Sequence, residues 1–416
     1  MIAIMRKILF LLIILLGFNF SNAQSKDLLV EYDTTYSCVN YDKNKLKIYK
    51  GGRRNIIPFF RRLERIINGK NEKINIWHVG GSHVQAGTFS HRVRRDFALK
   101  VNKEKASRTI LFPYKIASTN GPLDYSVSYS GSWSKSRCLE SDPTYEMGLS
   151  GITVATSSPS ASVTFSLSTS DSIDWRVRHL KVLGTASSSE VEPYIEVDGT
   201  TIRDYEGDSN NGYLFKLPRR SRSFTVKFEG LGGGNSFELR GVVALNDEPG
   251  VSYWASGVNG ASTSSWLRCS LLEKDLDIVA PDMVIFGIGI NDAHTTNFKR
   301  DKFKNNYQQL INMIKRVNPH CMFIFVTNND NKLKGSINYN TPAVEDAFIE
   351  LARENNGAVW NLFRVMGGSG SSRTWVRNGL MQKDHIHFTR DGYKLIGDLL
   401  YNSIMSEYLK WRKLTH

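Results

Sequence analysis

Apolar positions along the chain follow three rhythms. From Ile56 to Asn68 they recur every three to four residues. Phe59, Phe60, Leu63, Ile66 and Ile67 fall on one face and Asn68-Gly69 ends the run, so an amphipathic helix is expected. Ile74 to Val79 then reads as a buried strand. From about 110 to 248 the period drops to two. Val163, Phe165 and Leu167 alternate with Ser and Thr, Tyr194, Ile195 and Val197 lead to a turn at Asp198-Gly199, and Phe224, Val226 and Phe228 alternate again. This is the pattern of an antiparallel β-sandwich. The stretch GLGGGN that follows lacks the third glycine of a dinucleotide fingerprint and lies between strands, so it reads as a loop.

After about 250 the long rhythm returns. Met283 to Gly289 and Cys321 to Thr327 are continuous apolar strands of the kind buried on both faces. Arg300 to Val317 is a helix with Phe303, Tyr307, Leu310, Ile311 and Ile314 inward. Pro342 to Glu354 is a second helix, Ala358 to Phe363 a strand, and a last helix runs from about Arg390, behind Thr389 as its cap, to about Trp411. Alternating strands and helices make a parallel, doubly wound sheet. The expected organisation is therefore an α/β domain from 24–109 and 249–416, interrupted by a β-sandwich at 110–248.

Residues 1–23 have another texture. Arg6 and Lys7 precede an apolar run from Ile8 to Phe18, and Ser21-Asn22-Ala23 offers small residues for cleavage, the layout of a signal peptide. The run is short for a spanning helix, and no later segment is long and apolar enough for one. An exported protein without an integral membrane segment is expected, in the periplasm or at the cell surface. Loss of Arg6 and Lys7 lowers the formal charge from +14 to +12. A basic exported protein favours anionic partners such as wall polysaccharide, and no nucleic-acid-binding motif is present. The four cysteines, Cys38, Cys138, Cys269 and Cys321, show no CxxC spacing. Disulfides are permitted by the compartment, and their pairing is open.

Four stretches fall where an open parallel sheet places its reactive groups, just past strand ends: GGSHVQAG, ASGVNGAST, GIGINDAH and DHIHFTRDGY. The corner Gly80-Gly81-Ser82 suits a plain turn with a capping serine, and it equally suits a nucleophile held at a strand-to-helix corner. Asp384 and His387, three apart, can orient an imidazole toward Ser82, and the N–H groups of Ser82 and Gly260 with the Asn291 amide can make an oxyanion hole. Asp292 reads as a loop support. His83, Asp384, His385 and His387 can also be drawn as a metal site, but no HExxH-like helical spacing exists and acyl transfer uses the same residues without metal. No metal or cofactor is expected. Trp133, Trp175, Tyr194 and Tyr213 are candidates to stack on sugars, with core packing as the plainer role.

Taken in order, the four stretches resemble the four sequence blocks of the SGNH hydrolases, also called GDSL esterases. Ser82 matches the nucleophile, Gly260 the second-block glycine, Asn291 in GxND the third-block asparagine, and Asp384 and His387 in DxxHFTxxGY the acid and base. The resemblance implies a flavodoxin-like α/β/α fold and metal-free ester hydrolysis. Gly81 departs from the pattern, standing where the GDS triplet has aspartate. A β-sandwich between first and second blocks, together with GGSH and FELRGVVALNDEPGVSYWASGVNGAS, is similar to bacterial peptidoglycan O-acetylesterases. That likeness implies an inserted carbohydrate-binding-like module and an acetylated polysaccharide as partner. A noncatalytic glycan-binding protein and an O-acetyltransferase on the same scaffold are the alternatives.

Overall fold

The computed structural model describes residues 28–208, 210 and 212–415, so the expected signal peptide lies outside the described residues. No helix among the described residues is long and apolar enough to cross a membrane.

In chain order the α/β part comprises β1 (Leu46–Ile48), α1 (Gly52–Ile67), β2 (Lys73–Gly80), α2 (Ser82–Gln85) and α3 (Thr88–Lys100). After the β-rich segment come β3 (Gly250–Gly257), α4 (Leu272–Val279), β4 (Met283–Gly287), α5 (Ile290–Ala293) and α6 (Arg300–Val317). They are followed by β5 (Met322–Val326), α7 (Thr341–Glu354), β6 (Ala358–Trp360) and α8 (Arg390–Thr415). The sheet order is β1-β6-β5-β4-β2-β3, parallel throughout except for β1, which pairs antiparallel with β6. Two details differ from the pattern reading. β1 falls before the first element that the pattern predicts, because three residues carry no period and only pairing with β6 makes them a strand. The strand expected to reach Phe363 stops at Trp360, since the Asn361 side chain accepts the Arg364 N–H and caps a short helix, Leu362–Met366.

Alternation along each central strand feeds two different layers. Ile76, Tyr253, Met283, Ile285 and Ile324 pack toward α1, α3 and α8. Trp77, Trp254, Val284, Phe286 and Phe325 face α4, α6 and α7. That is why β4 and β5 carry no polar side chain at any position. The result is a three-layer α/β/α arrangement.

Strands from Thr109 to Leu245 form a five-stranded and a seven-stranded sheet, all their pairings antiparallel. The alternating Val163, Phe165, Leu167, Phe224, Val226 and Phe228 are buried, and the intervening Thr164 and Thr225 hydroxyls bond each other across the strands at 2.8 Å. Trp175 and Tyr213 belong to the core, while partly buried Trp133 lies edge-on to Phe228.

This sandwich does not hang from a linker. Its Leu111, Phe112 and Ile152 share one continuous apolar cluster with Trp254, Trp266 and Leu272 of the α/β part. At the seam Asp275 of α4 accepts the Leu149 N–H at 2.9 Å and lies 3.7 Å from the Arg240 guanidinium, both side chains at most 2% exposed. Leu271 N–H also donates to the Met147 carbonyl.

Candidate active site

β2 ends at Gly80, between β3 and β4, and the chain turns directly into α2 with Ser82 as its first residue. Gly81 has an ordinary φ of −96°, so no left-handed backbone requires glycine there. Space does. A Cβ on residue 81 would stand 3.2 Å from the Asn291 amide nitrogen and 3.5 Å from the Ala261 carbonyl.

Ser82 Oγ lies 2.9 Å from His387 Nε2, and His387 Nδ1 lies 2.7 Å from Asp384 Oδ2. The segment carrying Asp384 and His387 wraps around the carboxylate. Asp384 Oδ1 accepts the N–H groups of Ile386 (2.8 Å) and His387 (3.0 Å), and His385 between them is left-handed at φ 60°. Burial works against the charge on Asp384. The hydrogen bonds from the His387 ring and those two N–H groups outweigh it and hold the carboxyl below its usual value. Behind the loop the Thr389 hydroxyl oxygen accepts the Gly392 N–H and caps α8.

Gly260 sits in a turn closed by the Ala261 N–H to the Val258 carbonyl, at φ +80°, which favours glycine. Among the described residues the N–H groups of Ser82 and Gly260 engage no acceptor within the protein. Asn291, exposed on α5, donates one amide hydrogen to the Ala261 carbonyl at 2.9 Å and keeps the other. Asp292 beside it accepts from the Thr263 N–H and hydroxyl, tying the second block to the third.

His83 Nδ1 and the Tyr393 hydroxyl are hydrogen-bonded at 2.7 Å. Burial and the neighbouring His387 lower the His83 pKa to about 3, so it stays neutral and does not compete as a base. His385 is also lowered, chiefly by burial. Among the described residues no group of three or more His, Cys, Asp or Glu side chains is gathered to hold a metal ion.

The fold thus brings together Ser82, Gly260, Asn291, Asp384 and His387. Pattern reading missed Gln85, Thr119, Asn120 and Asn259, which bond one another beside Ser82. The only sequence signal was that Gln85 shares the short helix of Ser82. Thr119 and Asn120 come from the β-rich segment, and nothing local announces them.

The sequence model of the GDSL-like lipase/acylhydrolase family matches residues 223–395, the stretch that carries Gly260, Asn291, Asp384 and His387. No curated protein matches the chain in sequence. Among solved structures, a peptidoglycan O-acetylesterase superimposes with a TM-score of 0.70 at 19% identity, covering 85% of this chain and 96% of that one. An acetyl xylan esterase (19% identity, 37% of this chain and 79% of that one) and a lipase/acylhydrolase from Enterococcus faecalis (23%, 38% and 77%) reach TM-scores of only 0.30 and 0.31. The first match extends over the β-rich segment as well as the sheet, so the interrupted architecture is a fold already seen. The chain is therefore similar to the GDSL-like lipase/acylhydrolase family across its second to fourth blocks, and its fold agrees along most of its length with that of a peptidoglycan O-acetylesterase.

Proposed function

We propose that the protein is an exported carbohydrate esterase that removes O-acetyl groups from a bacterial polysaccharide, peptidoglycan first. The observation that carries this reading is the unbroken line from Asp384 through His387 to Ser82, at 2.7 and 2.9 Å. Ser82 Oγ attacks the acetyl carbonyl as its proton passes to His387 Nε2. Asp384 holds Nδ1–H and stabilises the imidazolium. The carbonyl oxygen becomes an oxyanion that accepts from the N–H groups of Ser82 and Gly260 and the free amide hydrogen of Asn291. His387 returns the proton to the departing sugar oxygen, leaving acetyl-Ser82. Water, deprotonated by His387, then releases acetate and regenerates Ser82.

The similarity in fold to a peptidoglycan O-acetylesterase and the strongly positive formal charge, +14 for the full chain, which suits anionic wall polymers, support the choice of substrate. Residues 110–248 are the proposed module that holds the glycan chain.

The test is acetate release from O-acetylated peptidoglycan. Ser82→Ala should lose about 10⁴–10⁶ in kcat with an unchanged melting temperature. Asn291→Ala should lose about 10²–10³ in kcat and change KM less, since its amide acts on the transition state. A Ser82→Ala protein that still released acetate would overturn the reading.

A further inference from the structure

Both backbone donors of the oxyanion hole lie on short pieces of chain: Ser82 on a single turn of helix, Gly260 in a four-residue turn. The strands that lead into them are joined by the Val258 N–H donating to the Gly80 carbonyl at 3.3 Å, two residues before each donor. One side chain spans them. Gln85, on the same turn as Ser82 and 1% exposed, accepts the Asn259 N–H on its Oε1 at 2.6 Å. Asn259 immediately precedes Gly260. The Gln85 amide is itself held from the far side, its Nε2 donating to Thr119 Oγ1 at 2.8 Å and to the Asn120 carbonyl at 2.7 Å. Asn259 Nδ2 meets the same two residues, Thr119 Oγ1 at 3.2 Å and Asn120 Oδ1 at 2.6 Å. The Gln85 amide therefore cannot flip without placing its NH₂ against the Asn259 N–H and its carbonyl against that of Asn120.

The approach is close throughout. A Cβ on Gly257, at the end of β3, would stand 2.2 Å from the Gln85 backbone nitrogen, and one on Gly87 would meet Pro122 of the same loop at 2.5 Å. Glycine at these two positions lets β3 and the loop around residues 119–122 press against α2.

Resting on the reading of Ser82 as nucleophile, we propose that Gln85 is a positioning residue that sets the separation of the Ser82 and Gly260 N–H groups. Thr119 and Asn120, from the β-rich segment, are the clamp that holds it. On this account the β-rich segment does more than hold polymer. It shapes the oxyanion hole for every ester, including one too small to touch a glycan-binding surface.

The decisive measurement is kcat and KM on 4-nitrophenyl acetate, with thermal unfolding of each full-length variant. Gln85→Ala should lower kcat by about 10- to 100-fold, below the 10²–10³ for deleting a donor outright, with KM changed less than threefold. Thr119→Val removes one hydroxyl acceptor at constant shape and should lower kcat by about two- to tenfold, whereas Thr119→Ser restores the acceptor and the rate. The Thr119 pair decides the matter if Gln85→Ala fails to fold, because Thr119 lies at the rim of the core. Unchanged kcat in Thr119→Val, equal losses in Thr119→Val and Thr119→Ser, or a rise in KM alone would overturn the proposal. Ser82→Ala measured alongside separates the two ideas. If it is inactive while the Thr119 variants match the parent, the clamp is wrong and the esterase reading stands. If it is active, both fall.

Discussion

The parallel sheet and the β-rich segment solve the problem of burial in opposite ways. Along β4 of the sheet successive residues are all apolar, because Met283 and Ile285 serve one layer and Val284 and Phe286 the other. In the sandwich Val163 and Phe165 are buried while Thr164 between them is not. The difference also divides the chemistry. Candidate catalytic groups stand past the ends of parallel strands, where turns such as Gly80-Gly81-Ser82 are free to expose a side chain. The sandwich contributes a loop, Thr119–Asn120, and a seam. The lesson is that an inserted region with its own sheets need not be independent, since Leu111 and Trp254 lie in one core.

Removal of the whole segment is the harshest way to break that comparison. Replacing 110–248 by a short linker would uncover the apolar face around Trp254, Trp266 and Leu272, so the product should be insoluble or lack a cooperative unfolding transition. A soluble variant that unfolds cooperatively and cleaves 4-nitrophenyl acetate at the parent rate would show two separable units instead.

The seam is a smaller target. Asp275→Ala leaves the Arg240 guanidinium and the Leu149 N–H buried without their partner, and should cost about 3–5 kcal/mol in urea unfolding. Asp275→Asn, which can still accept from Leu149, should cost less. A loss below about 1 kcal/mol for the alanine would mean that the seam contributes little.

Smallest is the response to pH, where the two regions should differ in sign. On the sheet side Asp96 of α3 is pushed up to about 8, first by burial and then by the charge of Asp398 on α8. A carboxyl raised in the folded state binds its proton more tightly there than when unfolded. Its stabilisation is complete below the ordinary value of 3.8 and is lost as pH climbs through about 8. At the edge of the sandwich Asp124 is lowered. Burial opposes its charge, but Arg108, His91 and Arg94 outweigh that. Its contribution is present above 3.8 and fades as pH falls below that value. Between about pH 4 and 8 unfolding free energy should therefore decline, and Asp96→Asn should flatten that decline. Asp124→Asn should instead flatten the loss on acidification. Parallel curves for variant and parent would remove either assignment.

How much of this was legible beforehand follows from how far apart the interacting residues lie along the chain. The helix Arg300–Val317 was read to the residue, because its apolar face repeats over five turns and needs no partner to be seen. Asp384 and His387 were readable as a pair, since three residues of loop suffice to bring a carboxylate to an imidazole. The alternation at 163–167 and 224–228 announced paired strands for the same local reason. Ser82 and His387 are another matter. They are separated by 305 positions, and only the parallel order of β2 among its neighbours, with α8 packed behind it, brings them within 2.9 Å. The resemblance in four blocks named both residues without supplying that distance.

Tertiary structure alone decided the rest. β1 exists because β6 offers it an edge. Residue 81 is crowded by Asn291, a neighbour across 210 positions that no local pattern encodes. Gln85 looks like any polar residue on a short helix until Thr119, Asn120 and Asn259 close around its amide. The physical reason is common to all three. Local sequence sets backbone preference and which face is apolar, whereas a polar side chain acquires its role only from the donors and acceptors that packing brings to it.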